Sequence, residues 1–136
     1  MCDRPAVLVR IEDHDGAFGW GEIWANWPAA GAEHRVRLLE MDIAPLLVGT
    51  RAQRPENFFH QLEQQTRIRA TQCGEIGPFS QVIAGLDIAL WDMAARRAGL
   101  PLRNFINDAA TNQVPAYASG IQVAAAAGVL PRARTE

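Results

Sequence analysis

A chain of 136 residues with 49% hydrophobic and 21% charged residues, eight Pro and eleven Gly has the composition of one folded domain, not of a disordered, collagenous or membrane-spanning chain. Its net charge of -2 leaves no basic stripe to neutralise phosphates, which argues against a nucleic-acid partner. All thirteen basic residues are Arg, so lysine chemistry of the Schiff-base, P-loop or general-base kind is excluded within these residues.

Val7, Val9 and Ile11 alternate with Leu8, Arg10 and Glu12, which predicts a strand with one buried face. Asp13 to Gly16 reads as a tight turn, with Gly16 supplying a positive φ. The next strand, Ala17 to Trp24, sets Phe18, Trp20 and Trp24 on one face and Ala17, Gly19, Gly21 and Ile23 on the other. Two glycines leave that second face flat enough for another element to approach its backbone. Asn26 to Gly31, with Pro28, is a loop.

From Ala32, Val36, Leu39, Ile43 and Leu46 fall at helical spacing behind Glu33 in the first turn, and Pro45 should end or kink the helix near Ala44. A second helix is expected from Pro55 through Phe58, Phe59 and Leu62 towards Ala70, followed by a polar loop over Thr71 to Gly77. Phe79, Val82, Ile83, Leu86, Leu90 and Met93 then form a continuous helical stripe stopped by Gly99 and Pro101. A helical turn over Leu102 to Ile106 precedes one more expected strand, Val114 to Gly120, and an Ala-rich tail.

The apolar run Val123 to Leu130 is too short to span a bilayer, and the short apolar run Ala6 to Val9 is not expected to act as a signal peptide. Cys2 and Cys73 follow no disulfide or metal spacing, so the expected compartment is the cytoplasm. A two-stranded ribbon is marginal without a third strand or a helix layer, and the last strand has no evident partner. The chain is therefore expected to be a piece of something larger.

Candidate chemistry is sparse. Gly19-Trp20-Gly21 lacks the third glycine of a dinucleotide fingerprint and reads as strand interior. Asp13, His14 and Asp15 suit an exposed turn better than a metal cluster, since no other ligands stand at a fixed spacing. His34 and His60 stand singly on helices, and Ser80 and Ser119 lack the glycine context of a nucleophilic serine. Asp87 and Asp92 are about 140° apart around one helix, so they form no facing dyad; Asp92 suits an ion pair with Arg96. Trp24, Asn26 and Trp27 lie where a strand opens into a Pro-containing loop. Packing of the tryptophans under the helices and contact with a ligand both fit them.

Val7-Leu8-Val9-Arg10-Ile11-Glu12, Gly16 and Gly19-Trp20-Gly21-Glu22 resemble the second and third strands of the N-terminal capping domain in the enolase superfamily, mandelate racemase and muconate lactonizing branch. Ile83 to Asp92 with Gly99-Leu100-Pro101-Leu102 is similar to that domain's last long helix, and Val114 to Gly120 to the strand that opens the family's barrel. The resemblance implies an α+β fold: an antiparallel β-meander, here a hairpin without the first strand, packed on a helical bundle and followed by the first strand of an absent TIM-like barrel. Residues 1–113 would be the capping domain and 114–136 the start of the barrel with a divergent tail.

It also implies a parent enzyme that abstracts the proton alpha to a carboxylate with help from Mg²⁺, as an acid-sugar dehydratase, racemase or cycloisomerase. No catalytic residue or metal ligand of that chemistry falls within this chain, so no cofactor is expected here and the chain alone should be inert. The loop after Glu22 is similar to a capping loop that closes over substrate, which makes Trp24, Asn26 and Trp27 the candidate substrate-binding residues. Glu22 and Asp87 would hold the cap together or dock it on the barrel. The implied partners are the missing barrel, a small carboxylate substrate and a second copy of the chain, with no nucleic acid and no membrane. The competing reading is an independent α+β binding module without catalysis.

Overall fold

The computed structural model describes residues 5–51 and 54–117. The two alternating segments form an antiparallel hairpin, β1 (Val7–Glu12) and β2 (Phe18–Ile23), in a register from Val7 opposite Ile23 to Glu12 opposite Phe18. Its turn is built as the residues dictate: Gly16 takes φ +82°, and Asp13 Oδ1 accepts the N–H groups of Asp15 and Ala17, both at 3.0 Å.

The support that a two-stranded ribbon needs comes from helices. α1 (Gly31–Leu38) leads into a π-helical turn over Leu39–Ile43 and a 3₁₀ turn over Ala44–Leu46; then come α2 (Pro55–Gln72), α3 (Ile76–Arg97) and α4 (Leu102–Ile106). The long apolar helix α3 lies across the hairpin at the two glycines. A Cβ on Gly19 would fall on the Ala89 carbonyl oxygen, and one on Gly21 would fall on that of Gly85. Gly85 in turn leaves room for the Ile23 side chain. Around this contact Val7, Val9 and Ile23 of the sheet meet Val82, Ile83, Leu86, Ala89 and Met93 of α3, with Phe58, Leu62 and Ala70 of α2 completing the core.

The backbone N–H of Trp20 points away from β1, donating to Asp92 Oδ2 of α3 at 2.9 Å. Arg10 stands opposite Trp20, so by the alternation of an antiparallel ladder its own N–H and C=O face outwards as well. β1 pairs with no other strand among the described residues, and its outer edge is open.

The elements differ from the sequence expectation in three places. α-Helical geometry gives way at Leu39, a turn and a half before Pro45: the proline has no N–H for the Met41 carbonyl, and the chain widens and then tightens around that missing bond. The polar loop expected over Thr71 to Gly77 shrinks to Cys73–Glu75. Gly74 takes φ +71°, and the Glu75 N–H returns to the Ala70 carbonyl at 2.8 Å, which ends α2 in one step and lets α3 begin at Ile76. The expected strand Val114 to Gly120 forms no ladder over Val114–Tyr117, where no strand among the described residues lies beside it; the rest of that segment lies outside the described residues. No helix among the described residues is long and apolar enough to cross a membrane.

Candidate functional site

The segment that leaves β2 has a held backbone and displayed indoles. Ala25 is buried, and a Cβ on Gly31 would meet the Ala25 carbonyl oxygen at 2.7 Å, so only glycine lets α1 start that close to the strand's end. The Gly31 N–H donates to the Pro28 carbonyl at 2.8 Å, closing the loop at its base. Trp24 and Trp27 nevertheless remain 46% and 58% exposed, with Asn26 half-buried between them. The reading in which both tryptophans pack under the helices is therefore overturned: Ala25 and Ile23 occupy that space, and the indoles face outwards.

Behind this segment lies a side chain that sequence reasoning missed. Arg35 of α1 is only 4% exposed. Its Nε and Nη2 both donate to Gln81 Oε1 of α3, at 2.9 and 2.7 Å, and Nη2 also donates to the Trp27 carbonyl at 3.2 Å. Nη1 donates to His34 Nδ1 at 3.1 Å, which leaves the ring's proton on Nε2, facing Glu75 Oε1 at 2.9 Å. His34, expected to stand alone, thus joins α1 to the turn before α3. One signal was present in the sequence: Arg35 falls in phase with Gly31 and Leu38 on the buried side of α1, where a charge must find partners.

Among the other sequence candidates, Asp92 holds the fold together. Asp92 forms the expected ion pair with Arg96, at 2.8 Å, in addition to its bond from Trp20. Burial pushes the Asp92 carboxyl up, but the Trp20 N–H and the hydrogen bond and charge of Arg96 outweigh it and hold the group below its ordinary value. Asp87 receives no such compensation, and burial raises its pKa. Glu22 is exposed, and His60 makes only a surface pair with Glu63 at 3.7 Å. Ser80 lies within α3, and Ser119 falls outside the described residues.

Asp13, His14 and Asp15 bring their ligand atoms within 4.8 Å of one another. Arg97 of α3 already supplies the positive charge there, 2.6 Å from Asp13 Oδ2 and 2.9 Å from Asp15 Oδ2, while Asp13 Oδ1 is engaged by the turn. The cluster fastens the hairpin turn to α3 and does not fit a divalent cation, so no step through a metal is derived from it.

A hairpin laid on a long helix through paired glycines, with an exposed aromatic loop at its open end, defines an α+β capping module. The chain belongs to the mandelate racemase / muconate lactonizing enzyme family, whose N-terminal domain matches residues 1–107. It is similar to the crystal structure of a mandelate racemase/muconate lactonizing enzyme from Bordetella bronchiseptica RB50, at 59% identity and a TM-score of 0.73 over 76% of this chain and 29% of that one. A D-galactonate dehydratase family member from Marinomonas sp. (strain MWYL1) is 32% identical over 88% of this chain and 28% of its own length. A racemase from Streptomyces coelicolor A3(2), solved with bound magnesium, is 30% identical with a TM-score of 0.55, covering 68% of this chain and 26% of that one. The chain thus spans between a quarter and a third of the length of these relatives.

Proposed function

We propose that this chain acts as the lid of a Mg²⁺-dependent enzyme that abstracts the proton alpha to a carboxylate. Residues 1–113 form the cap, and 114–136 lead towards a (β/α) barrel that would carry the bases and metal ligands. The parent reaction is that of an acid-sugar dehydratase, racemase or cycloisomerase. In this reading Trp24, Asn26 and Trp27 cover a small carboxylate substrate, exclude water from it and set which side chain or sugar it accepts. The observation that carries the proposal is the pairing of a fixed backbone at Ala25 and Gly31 with two exposed indoles, the arrangement a preorganised contact needs.

Two further features support it. The open edge of β1 suits a third strand, and Asp87, with a raised pKa and no ion pair among the described residues, suits docking on a barrel. The expected partners are that barrel and a second copy of the chain, without nucleic acid or membrane, in the cytoplasm. Sequencing the DNA on both sides of the reading frame tests the assignment. A strand-forming segment upstream and a barrel with three metal carboxylates and a Lys-x-Lys or His base downstream support it. Finding neither favours a separate α+β binding module.

A further inference from the structure

We infer that Arg35, acting through Gln81, is the residue that sets the position of the Trp24–Trp27 lid. The functional weight of this inference rests on the lid reading above; its structural content does not. A buried guanidinium is costly unless every acceptor around it is well placed, and among the described residues Arg35 makes no ion pair with a carboxylate. Its partners are neutral: one amide oxygen taken by two N–H groups, one backbone carbonyl and one imidazole nitrogen. The planar fork therefore has one orientation that satisfies it. In that orientation the backbone of Trp27 is tied to α3 through a single side chain.

The tie is selective. Ala25 and Gly31 are anchored by burial and close approach, but Trp27 lies between them on an exposed arc, and the hydrogen bond from Arg35 to its carbonyl joins that arc to the body of the domain. Gln81 supplies the geometry, since it receives both Nε and Nη2 and so fixes the plane from which Nη2 reaches Trp27. Through His34 the same network meets Glu75, so the α2–α3 turn and the lid share one set of bonds. Arg35 is a positioning residue: its side chain is covered and acts on any substrate only through where Trp27 stands.

Backbone amide hydrogen exchange on the full chain tests this. The N–H groups of Gly31 and His34, which donate to the Pro28 and Ala30 carbonyls, report opening of the loop, and α3 amides such as that of Ala89 serve as the reference. In Gln81→Leu the two loop amides are expected to exchange at least about tenfold faster while the reference is unchanged, because local opening is governed by the bonds of that segment alone. Gln81→Glu, whose carboxylate accepts the same fork, is expected to restore slow exchange. Should Gln81→Leu fail to fold, Arg35→Lys, which keeps the charge and loses the fork, is read in the same way. Unchanged loop exchange, exchange raised equally across α3, or loss of the whole fold in both variants would overturn the inference. Because no barrel or substrate enters the measurement, failure of the lid reading leaves its result untouched.

Discussion

The N–H of Trp20 and the carboxylate of Asp92 stand 2.9 Å apart, a strand edge closed by a helix side chain 72 residues away. Asp92 also holds Arg96, whose guanidinium lies 5.0 Å from the centre of the Phe18 ring, with Arg10 on the same ring at 4.6 Å. The free edge of β2 is thus met at Trp20 by one residue of the helix that supports it.

Asp92 should make the fold acid-sensitive. Its pKa is lowered in the folded chain, so the native state holds its proton less tightly than the unfolded chain does. The stabilisation is full above the ordinary aspartate range, about pH 4, and is lost as pH falls through the lower folded value. Asp92→Ala is expected to cost about 1.5–3 kcal/mol at pH 7, the range for a hydrogen bond to a charged group. Urea unfolding at pH 7 and pH 3 checks it: the gap between wild type and variant should narrow at the lower pH, and a constant gap contradicts the account.

Asp87 should behave in the opposite sense. Burial raises its pKa, so the folded state prefers the protonated form, and stability falls as pH rises through the raised value. Asp87→Asn removes that cost, and a higher urea midpoint is expected at pH 7, with no gain well below pH 4. A lower midpoint at pH 7 would mean that the carboxylate is engaged within this chain.

The glycine contact makes a steric prediction. Gly21→Ala drives a Cβ into the Gly85 carbonyl, and backbone on both sides must separate. Overpacking at such a site costs about 1–3 kcal/mol or more. Gly77 has nothing within 4 Å of the same added atom, so Gly77→Ala should change stability far less. Thermal melts of the two variants make the comparison; equal shifts would place β2 further from α3 than it stands here.

Magnesium should leave this chain's melting temperature unchanged, because Arg97 already neutralises the Asp13–Asp15 pair and only a ligand bound by the native state raises stability. Thermal melts over a Mg²⁺ titration check this. A saturable rise would show that the cation displaces Arg97 or finds other ligands, and Arg97→Ala would then enhance it.

Much of the fold was legible because local signals and tertiary contacts agree. The alternation of Val7, Val9 and Ile11, the glycine pair at 19 and 21 and the apolar stripe of α3 each imply one buried face, and those faces meet. The Cys73–Glu75 turn is not legible in the sequence because Thr71 and Gln72 are polar in a helix whose outer side is polar anyway, so composition hides the stop at Gly74. At the candidate site, the loop and its aromatics could be read from Trp24 to Pro28. The Arg35–Gln81 tie could not, since the two residues are 46 positions apart and only the packing of α1 on α3 brings them together.

The central claim is that the exposed tryptophans act on substrate, and a chimera measures it most directly. Residues 5–117 would replace the matching part of the Bordetella bronchiseptica relative, 59% identical where it aligns, and exchange of the proton alpha to the carboxylate would be followed in deuterated water across a panel of acid sugars. Trp27→Ala is expected to lower kcat/KM at least about tenfold, the loss of roughly 1.4 kcal/mol of transition-state binding, with the melting temperature unchanged. Unaltered kcat/KM in both Trp27→Ala and Trp24→Ala would contradict the lid.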